Sequence, residues 1–284
     1  MRRLFINTIR ATLGMLMVVA GLLVESSLAA RADSTTHYVS IPPRNVPGSR
    51  MPSTALTAIL ALPKSQPPYA AVVLLHGCGG GILHPLDWAA RLADWGYASI
   101  IPDSYTPRGV GRTCAGPAEQ RAVTPQDRAG DVISTALWLR TRPEIDGNRI
   151  GVVGFSNGGW TAMWVTQRRY GQLYPGFIKV AVSYYGNCAH PEDHGTVPLL
   201  VLVGEADDWD YPAQHCRAFA AQLTPEQPFL LYGYPGVVHE FDDSRAQRIQ
   251  YSEGHPEQHD APAAADSFVR TTAFLDRYIG ASPH

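Results

Sequence analysis

No run of lysine or arginine marks a nucleic-acid face in this chain of 284 residues, whose formal net charge is −2. The electrostatic footprint of nucleic-acid binding is therefore missing. No two cysteines stand at C-x-x-C spacing: the four are Cys78, Cys114, Cys188 and Cys216, so the pattern of a zinc site is absent. There is no internal repeat and no long linker. The apolar run from Leu13 to Val24 is too short for a membrane span, which needs about 20 residues. A glycine-rich stretch, Gly77-Cys78-Gly79-Gly80-Gly81, has neither the lysine of a Walker loop nor the spacing of a dinucleotide fingerprint. What remains is enough chain for one large domain with a full core, at an apolar fraction ordinary for globular proteins.

The N-terminus departs from this composition. Arg2, Arg3 and Arg10 precede the apolar run, and Ser26-Ser27-Leu28-Ala29-Ala30-Arg31-Ala32 follows it. A basic region, an apolar region and small residues before a cut are the features of a secretory signal peptide. Residues 1–32 are expected to be removed after Ala29 or Ala32. The mature chain would be exported, periplasmic or secreted, with no membrane attachment once cut. In an oxidising compartment an even number of cysteines suggests two disulfides. Four cysteines allow three pairings, and spacing alone does not choose among them.

Residues 33–53 read as an N-terminal lead-in with one short strand, and residues 54–284 as the domain proper. Apolar runs at 54–62, 70–75, 97–101, 150–153, 179–185, 198–203 and 228–232 read as strands. Helical spacing appears between them at 86–95, 124–142, 160–169 and 211–223, and again at 262–279. Thr124-Pro125-Gln126-Asp127 is an N-cap followed by proline at the first helical position. Short apolar strands alternating with amphipathic helices predict the α/β class: one mostly parallel central sheet with helices on both faces. Active sites of such sheets lie at the carboxyl ends of the strands.

The most informative stretch is Gly154-Phe155-Ser156-Asn157-Gly158-Gly159, which follows the apolar run Ile150 to Val153 and precedes a helical segment. Strand, G-x-S-x-G, helix is the context of a nucleophile elbow, in which small residues flank a serine exposed at the tip of a tight turn. The free amides at the start of the following helix face the same spot and can hold an oxyanion. A serine hydroxyl needs a base, and the base is a histidine held by a carboxylate. In α/β-hydrolases the chain order is serine, acid, histidine. The acid is expected just after the strand ending at Val203, where Asp207 is chosen over Asp208 and Glu205. His239, in a short loop after the strand at 228–232, is the expected base. His215 falls inside a helix. His190, His194, His255 and His259 read as loop residues, the last two in the polar, proline-containing segment His255-Pro256-Glu257-Gln258-His259. The glycine loop after Leu75 supplies the second oxyanion amide, that of Cys78, beside that of Asn157. Arg108 and Arg112 are candidates for binding a substrate carboxylate. Trp160, Trp209, Tyr105 and Tyr211 are candidates for lining the pocket.

Taken together, His76-Gly77-Cys78-Gly79-Gly80, the Gly154–Gly159 stretch, Gly204-Glu205-Ala206-Asp207-Asp208-Trp209 and His239-Glu240-Phe241 resemble the dienelactone hydrolase family of α/β-hydrolases. The resemblance spans residues 54–280. It implies the α/β-hydrolase fold, Ser156 as nucleophile, Asp207 as acid, His239 as base, and the amides of Cys78 and Asn157 as the oxyanion hole. The founding members carry cysteine at the elbow where this chain has Ser156, so the resemblance points to exported, serine-bearing members. Among these, similar cysteines imply the pairs Cys78–Cys114 and Cys188–Cys216.

The expected activity is hydrolysis of a small-molecule carboxylic ester or lactone through an acyl-enzyme, with no metal and no cofactor. Peptidases and polyester depolymerases use the same triad, and a non-catalytic binding protein could share the fold. No added propeller or lid domain is evident, which weighs against a peptidase. The intact serine, acid and histidine weigh against a binding module.

Overall fold

Seven consecutive residues, Tyr69–Leu75, are all buried. A strand with no exposed position must be covered on both faces, and the architecture follows from that requirement. In the computed structural model, residues 35–114, 122–189, 194–195 and 197–280 are described. The signal peptide expected at 1–32, His190 and His284 lie outside them.

The strands are β1 (Thr35–Ile41), β2 (Leu56–Leu62), β3 (Tyr69–Leu75), β4 (Ala98–Pro102), β5 (Ile145–Phe155), β6 (Val180–Tyr184), β7 (Leu199–Gly204) and β8 (Phe229–Tyr234). They form one sheet in the order β1-β2-β4-β3-β5-β6-β7-β8. The pairs β1/β2 and β2/β4 are antiparallel, and the remaining pairs are parallel. The helices are α1 (Leu83–Asp94), α2 (Pro125–Leu139), α3 (Asn157–Val165), α4 (Arg168–Leu173), α5 (Pro212–Ala220) and α6 (Ala261–Tyr278).

Alternation along the strands divides the core in two. Ala71, Val73, Leu75, Val152 and Val201 point to one face, against Val132, Ile133 and Ala136 of α2. Ala70, Val72, Leu74, Val153 and Leu200 point to the other, against Trp88 and Leu92 of α1 and Phe274 and Leu275 of α6. This is the α/β fold expected from the alternating pattern.

Local chemistry sets the helix ends. Thr124 accepts from the amide of Asp127 while the Asp127 carboxylate accepts from the amide of Thr124, a reciprocal cap with proline at the first position. Asp260 caps α6 by accepting from the amide of Ala263. Gly96, at φ 85°, lets the chain turn out of α1.

Two expectations differ from the structure. The helix after the elbow starts at Asn157, as its free amides required, but stops at Val165 instead of continuing to Arg169. Gln167 is extended there, at φ −59° and ψ 146°, and bridges to His194 before α4 begins. The segment around His255, read as a loop, instead pairs as a two-stranded ribbon, β9 (Gln250–Ser252) with β10 (His255–Glu257). Pro256 lies in a three-residue strand outside the main sheet, where β10 touches a third segment only through the bridge of Glu257 to His239.

All four cysteines are bonded, as Cys78–Cys114 and Cys188–Cys216. No helix among the described residues is long and apolar enough to cross a membrane. The Cys188–Cys216 bond joins residues 28 apart in sequence, so chain-entropy arguments assign it about 3 kcal/mol. Replacing both cysteines by serine is expected to lower Tm by about 6–12 °C. An unchanged Tm would show that the loop is held by other contacts.

Candidate functional site

At β3 and β5 the chain's progress across the sheet reverses. From β3 it moves outward to β4; from β5 it moves the other way, through β6, β7 and β8. The crevice at the carboxyl ends of two such strands is the natural binding position in an open α/β sheet. β3 and β5 are in register with Leu75 opposite Gly154, which places the loop after Leu75 beside the turn after Phe155.

That turn is as tight as its glycines imply. A Cβ on Gly154 would lie 2.0 Å from the carbonyl oxygen of Gly158, and one on Gly158 would lie 2.2 Å from that of Leu75. Neither clash can be relieved by a side chain, because both partners are backbone. Ser156 sits between them at φ 54° and ψ −117°, a sparsely populated conformation for a non-glycine residue, of the kind that concentrates at functional sites. α3 starts immediately after it, so the amide of Asn157 has no helical acceptor.

Asp207 and His239 meet behind the serine. The imidazole Nδ1 lies 2.6 Å from Asp207 Oδ2, and both residues are buried. A carboxylate only accepts, so Nδ1 carries the hydrogen and Nε2 keeps its lone pair. The other oxygen, Asp207 Oδ1, accepts from the amide of Trp209 at 2.9 Å. Burial pushes the His239 pKa down, but the Asp207 carboxylate outweighs it, and the ring ends above its usual 6.5. Tyr185 and Trp209 flank the ring, with centroids 4.6 and 5.2 Å away.

Of the two competing acids, Asp208 pairs with His255 at 3.0 Å and Glu205 pairs with Arg217. Neither reaches His239 by a hydrogen bond. His255 also stacks on Trp209 at 4.9 Å. His215 bonds Asn187 at 3.0 Å, and His194 is buried against Thr166.

Ser156, His239, Cys78, Asn157, Trp160 and Trp209 all border one small pocket of about 20 Å³. Its volume is that of about one water molecule. Ser156 also borders a larger cavity of about 320 Å³. The Cys78 segment is braced from the 104–114 loop by the Cys78–Cys114 bond and by the amide of Thr113, which donates to the carbonyl of Cys78 at 2.8 Å.

The two candidate carboxylate binders are elsewhere. Arg108 forks onto Asp131 at 2.8 and 2.9 Å and donates to the carbonyls of Ser104 and Arg50. Both of its terminal nitrogens are taken up in fixing the loop and only its buried Nε is left without a partner, so Arg108 reads as a structural residue. Arg112 pairs with Glu253 at 2.6 Å and borders neither pocket of Ser156. Tyr211 is exposed, and Tyr105 is buried with its hydroxyl 2.8 Å from Thr113.

Two buried groups escaped the sequence reading. Arg128 is completely buried; Nη1 donates to Asn157 Oδ1 at 2.6 Å and Nη2 to the carbonyl of His76 at 2.7 Å. One guanidinium thus joins the residue after the serine to the glycine loop. Burial, with Arg128 alongside, pushes the His76 pKa down to about 3, so that ring is neutral. Asp242 accepts from His84, Trp88 and Tyr185 at 2.9, 2.7 and 2.8 Å. Burial alone would raise its carboxyl, but these partners hold it below the ordinary range. The spacing of Arg128 and Asp242 from their partners leaves no periodic trace in the sequence.

The profile of the dienelactone hydrolase family matches residues 56–279. A protein of Synechocystis sp. described as "Putative carboxymethylenebutenolidase" is 26% identical over 262 residues, 84% of this chain and 95% of its own. Among solved structures, a dienelactone hydrolase-like promiscuous phosphotriesterase from metagenomic libraries superposes with a TM-score of 0.65 at 21% identity, over 88% of this chain and all of its own. A carboxylesterase from a metagenomic library superposes with a TM-score of 0.60 at 17% identity, over 90% of this chain and 93% of its own. Both structural likenesses show a shared fold.

Gly158→Ala should destabilise the protein by more than about 3 kcal/mol, since a methyl group there meets two backbone carbonyls. The check is the urea midpoint against wild type; a loss under about 1 kcal/mol would mean that the turn has room to shift.

Proposed function

Because this chain belongs to the dienelactone hydrolase family of ester-cleaving enzymes, we propose that it is an exported serine hydrolase that cleaves a carboxylic ester or lactone through an acyl-enzyme on Ser156. The observation that carries this reading is the shared pocket: Ser156, at the strained tip of the elbow, faces the same small space as His239 and the segment of Cys78. The paired cysteines and the signal-like N-terminus support export.

In the proposed mechanism His239 Nε2 takes the proton of Ser156 as its hydroxyl attacks the carbonyl carbon. Asp207 holds the ring in the tautomer that leaves Nε2 basic, and stabilises the imidazolium once it forms. The carbonyl oxygen becomes an oxyanion in a space about one water in size, facing the amides of Cys78 and Asn157. Collapse of the tetrahedral species breaks the bond to the alcohol oxygen, which receives the proton from His239. Water then attacks the acyl-enzyme by the same route in reverse. For a lactone, alcohol and acid remain one molecule, and the ring opens.

Preorganisation comes from Arg128. Holding Asn157 and the His76 carbonyl from one guanidinium fixes the separation of the two segments that supply the amides. The donors then need little rearrangement as charge develops, which is the condition for large electrostatic stabilisation.

A fluorophosphonate probe should label the mature wild-type protein at Ser156, located by peptide mass spectrometry. Ser156→Ala should lose both the labelling and the hydrolysis of p-nitrophenyl butyrate while keeping its Tm; residual turnover near wild type would refute the assignment.

The pH profile gives a second test. The base acts only when neutral, so kcat/KM should be low at acid pH and rise as pH increases through the pKa of His239. Because Asp207 holds that pKa above 6.5, the inflection should lie above 6.5. Asp207→Asn should move it downward and cut kcat by about 10⁴-fold. A profile with no ionisation between about pH 6 and pH 9 would count against His239 as base.

A further inference from the structure

The cavity of about 320 Å³ beside Ser156 has His84, Glu240, Asp243 and Arg245 among its walls. Two of these are basic groups, and each already faces a carboxylate. Arg245 lies along Asp243, its Nε 2.9 Å from Oδ1 and its Nη2 2.6 Å from Oδ2, and the amide of Arg245 also donates to Oδ1. Asp87 lies a further 3.8 Å from Arg245. The imidazole of His84 donates to Asp242 at 2.9 Å, and that carboxylate is completely buried. Arg245 uses two of its five N–H groups on Asp243, a carboxylate that already matches its charge, so a second anion there would meet a pair with no net charge.

Glu240 is different. Among the described residues its carboxyl makes no side-chain hydrogen bond and no ion pair, although it borders the cavity that holds Ser156. Its backbone is at φ 56°, immediately after His239. That left-handed conformation is uncommon for a residue other than glycine and asparagine, and such positions persist where the surroundings impose them. Asp243 balances Arg245 and Asp242 accepts from His84, which leaves Glu240 as the carboxyl of this wall without a hydrogen-bonded or ionic partner among the described residues.

We propose that this cavity is the subsite for the substituent of the scissile ester, and that Glu240 makes it select neutral or cationic substituents over carboxylates. The proposal rests on Ser156 being the nucleophile. With Glu240 ionised, a carboxylate entering the cavity would meet a like charge in a partly dehydrated space and no cation without a carboxylate of its own, whereas a hydroxyl or an ammonium group would find an acceptor. Burial raises the Glu240 pKa, while His239 and His84 draw it back down and Asp243 and Asp242 push it up. Below that pKa the protonated carboxyl donates a hydrogen bond and the discrimination fades; above it the repulsion is complete. Glu257 on β10 and Arg245 are the other charged neighbours of this segment.

The test uses three p-nitrophenyl esters of matched chain length, ending in methyl, carboxylate or trimethylammonium, assayed at about pH 8, where the substrate carboxylate is ionised. With wild type, kcat/KM for the carboxylate ester should fall below that of the neutral ester by roughly tenfold or more, and the ammonium ester should at least match the neutral one. In Glu240→Gln, which keeps the size and removes the charge, the gap between carboxylate and neutral esters should shrink by about fivefold or more. Equal turnover of carboxylate and neutral esters by wild type would overturn the subsite, as would a gap unchanged in Glu240→Gln. Failure of wild type to take fluorophosphonate at Ser156 would bring down the nucleophile and the subsite together, a result distinct from equal turnover by a labelled enzyme.

Discussion

The turn from Gly154 to Gly158 is pressed against the end of β3 so closely that neither glycine has room for a single carbon atom. Much of the molecule follows from that contact. It requires β3 and β5 to be neighbours in register, which in turn sets where the strand order reverses and where the crevice opens. It forces Ser156 into a backbone conformation that throws its side chain off the sheet. It also starts α3 at once, so an unsatisfied helical amide stands next to the serine hydroxyl. A looser turn would still build an α/β sheet; it would not build this juxtaposition.

Two buried ionic groups flank the elbow and have opposite signs. Arg128 faces no carboxylate through a hydrogen bond: its terminal nitrogens are given to Asn157 Oδ1 and the carbonyl of His76, and its Nε has no partner. Burying a guanidinium without a matching anion costs several kcal/mol unless something offsets it. Here the offset is two strong hydrogen bonds to the segments that frame the small pocket, plus the ring of Tyr105 at 5.2 Å. Its positive charge also lies on the side where an oxyanion would form. Asp242 is fully matched, by three donors from three different parts of the chain. One of them, Tyr185, packs on His239, so the carboxylate that neutralises His84 also steadies the wall of the base.

The elbow was legible because sterics dictate its sequence: glycine on each side of serine is the local consequence of the turn. Asp207 and His239 were legible through chain order and the position of strand ends, and the strands through their continuous apolar runs. Arg128, His84 and Asp242 were not. Trp88 and Asp242 are 154 residues apart, and no periodicity or local pattern connects such residues before the fold does. Arg108 and Arg112 failed for the same reason in reverse. In the sequence they were unpaired loop cations, and their partners Asp131 and Glu253 became visible only in three dimensions. The ribbon around His255 was hidden by Pro256, which argues against a strand inside a large sheet but not against a short pair outside it.

The proposed base is more confined than a loop position implies. His239 is 3% exposed, held at one nitrogen by Asp207 and on its flanks by Tyr185 and Trp209. The ring borders the same small pocket as Ser156. With serine, base and amide segments all fixed, little freedom remains in the reacting groups themselves. The larger cavity is the variable part of the site: its wall is made of paired charges and one carboxyl outside any pair, on the segment directly after the base. Discrimination among esters would then reside in that wall, while the rate at the carbonyl would reside in the geometry set by Gly154, Gly158 and Arg128. The two are coupled through charge, because Glu240 helps to raise the pKa of His239 and His239 in turn lowers that of Glu240.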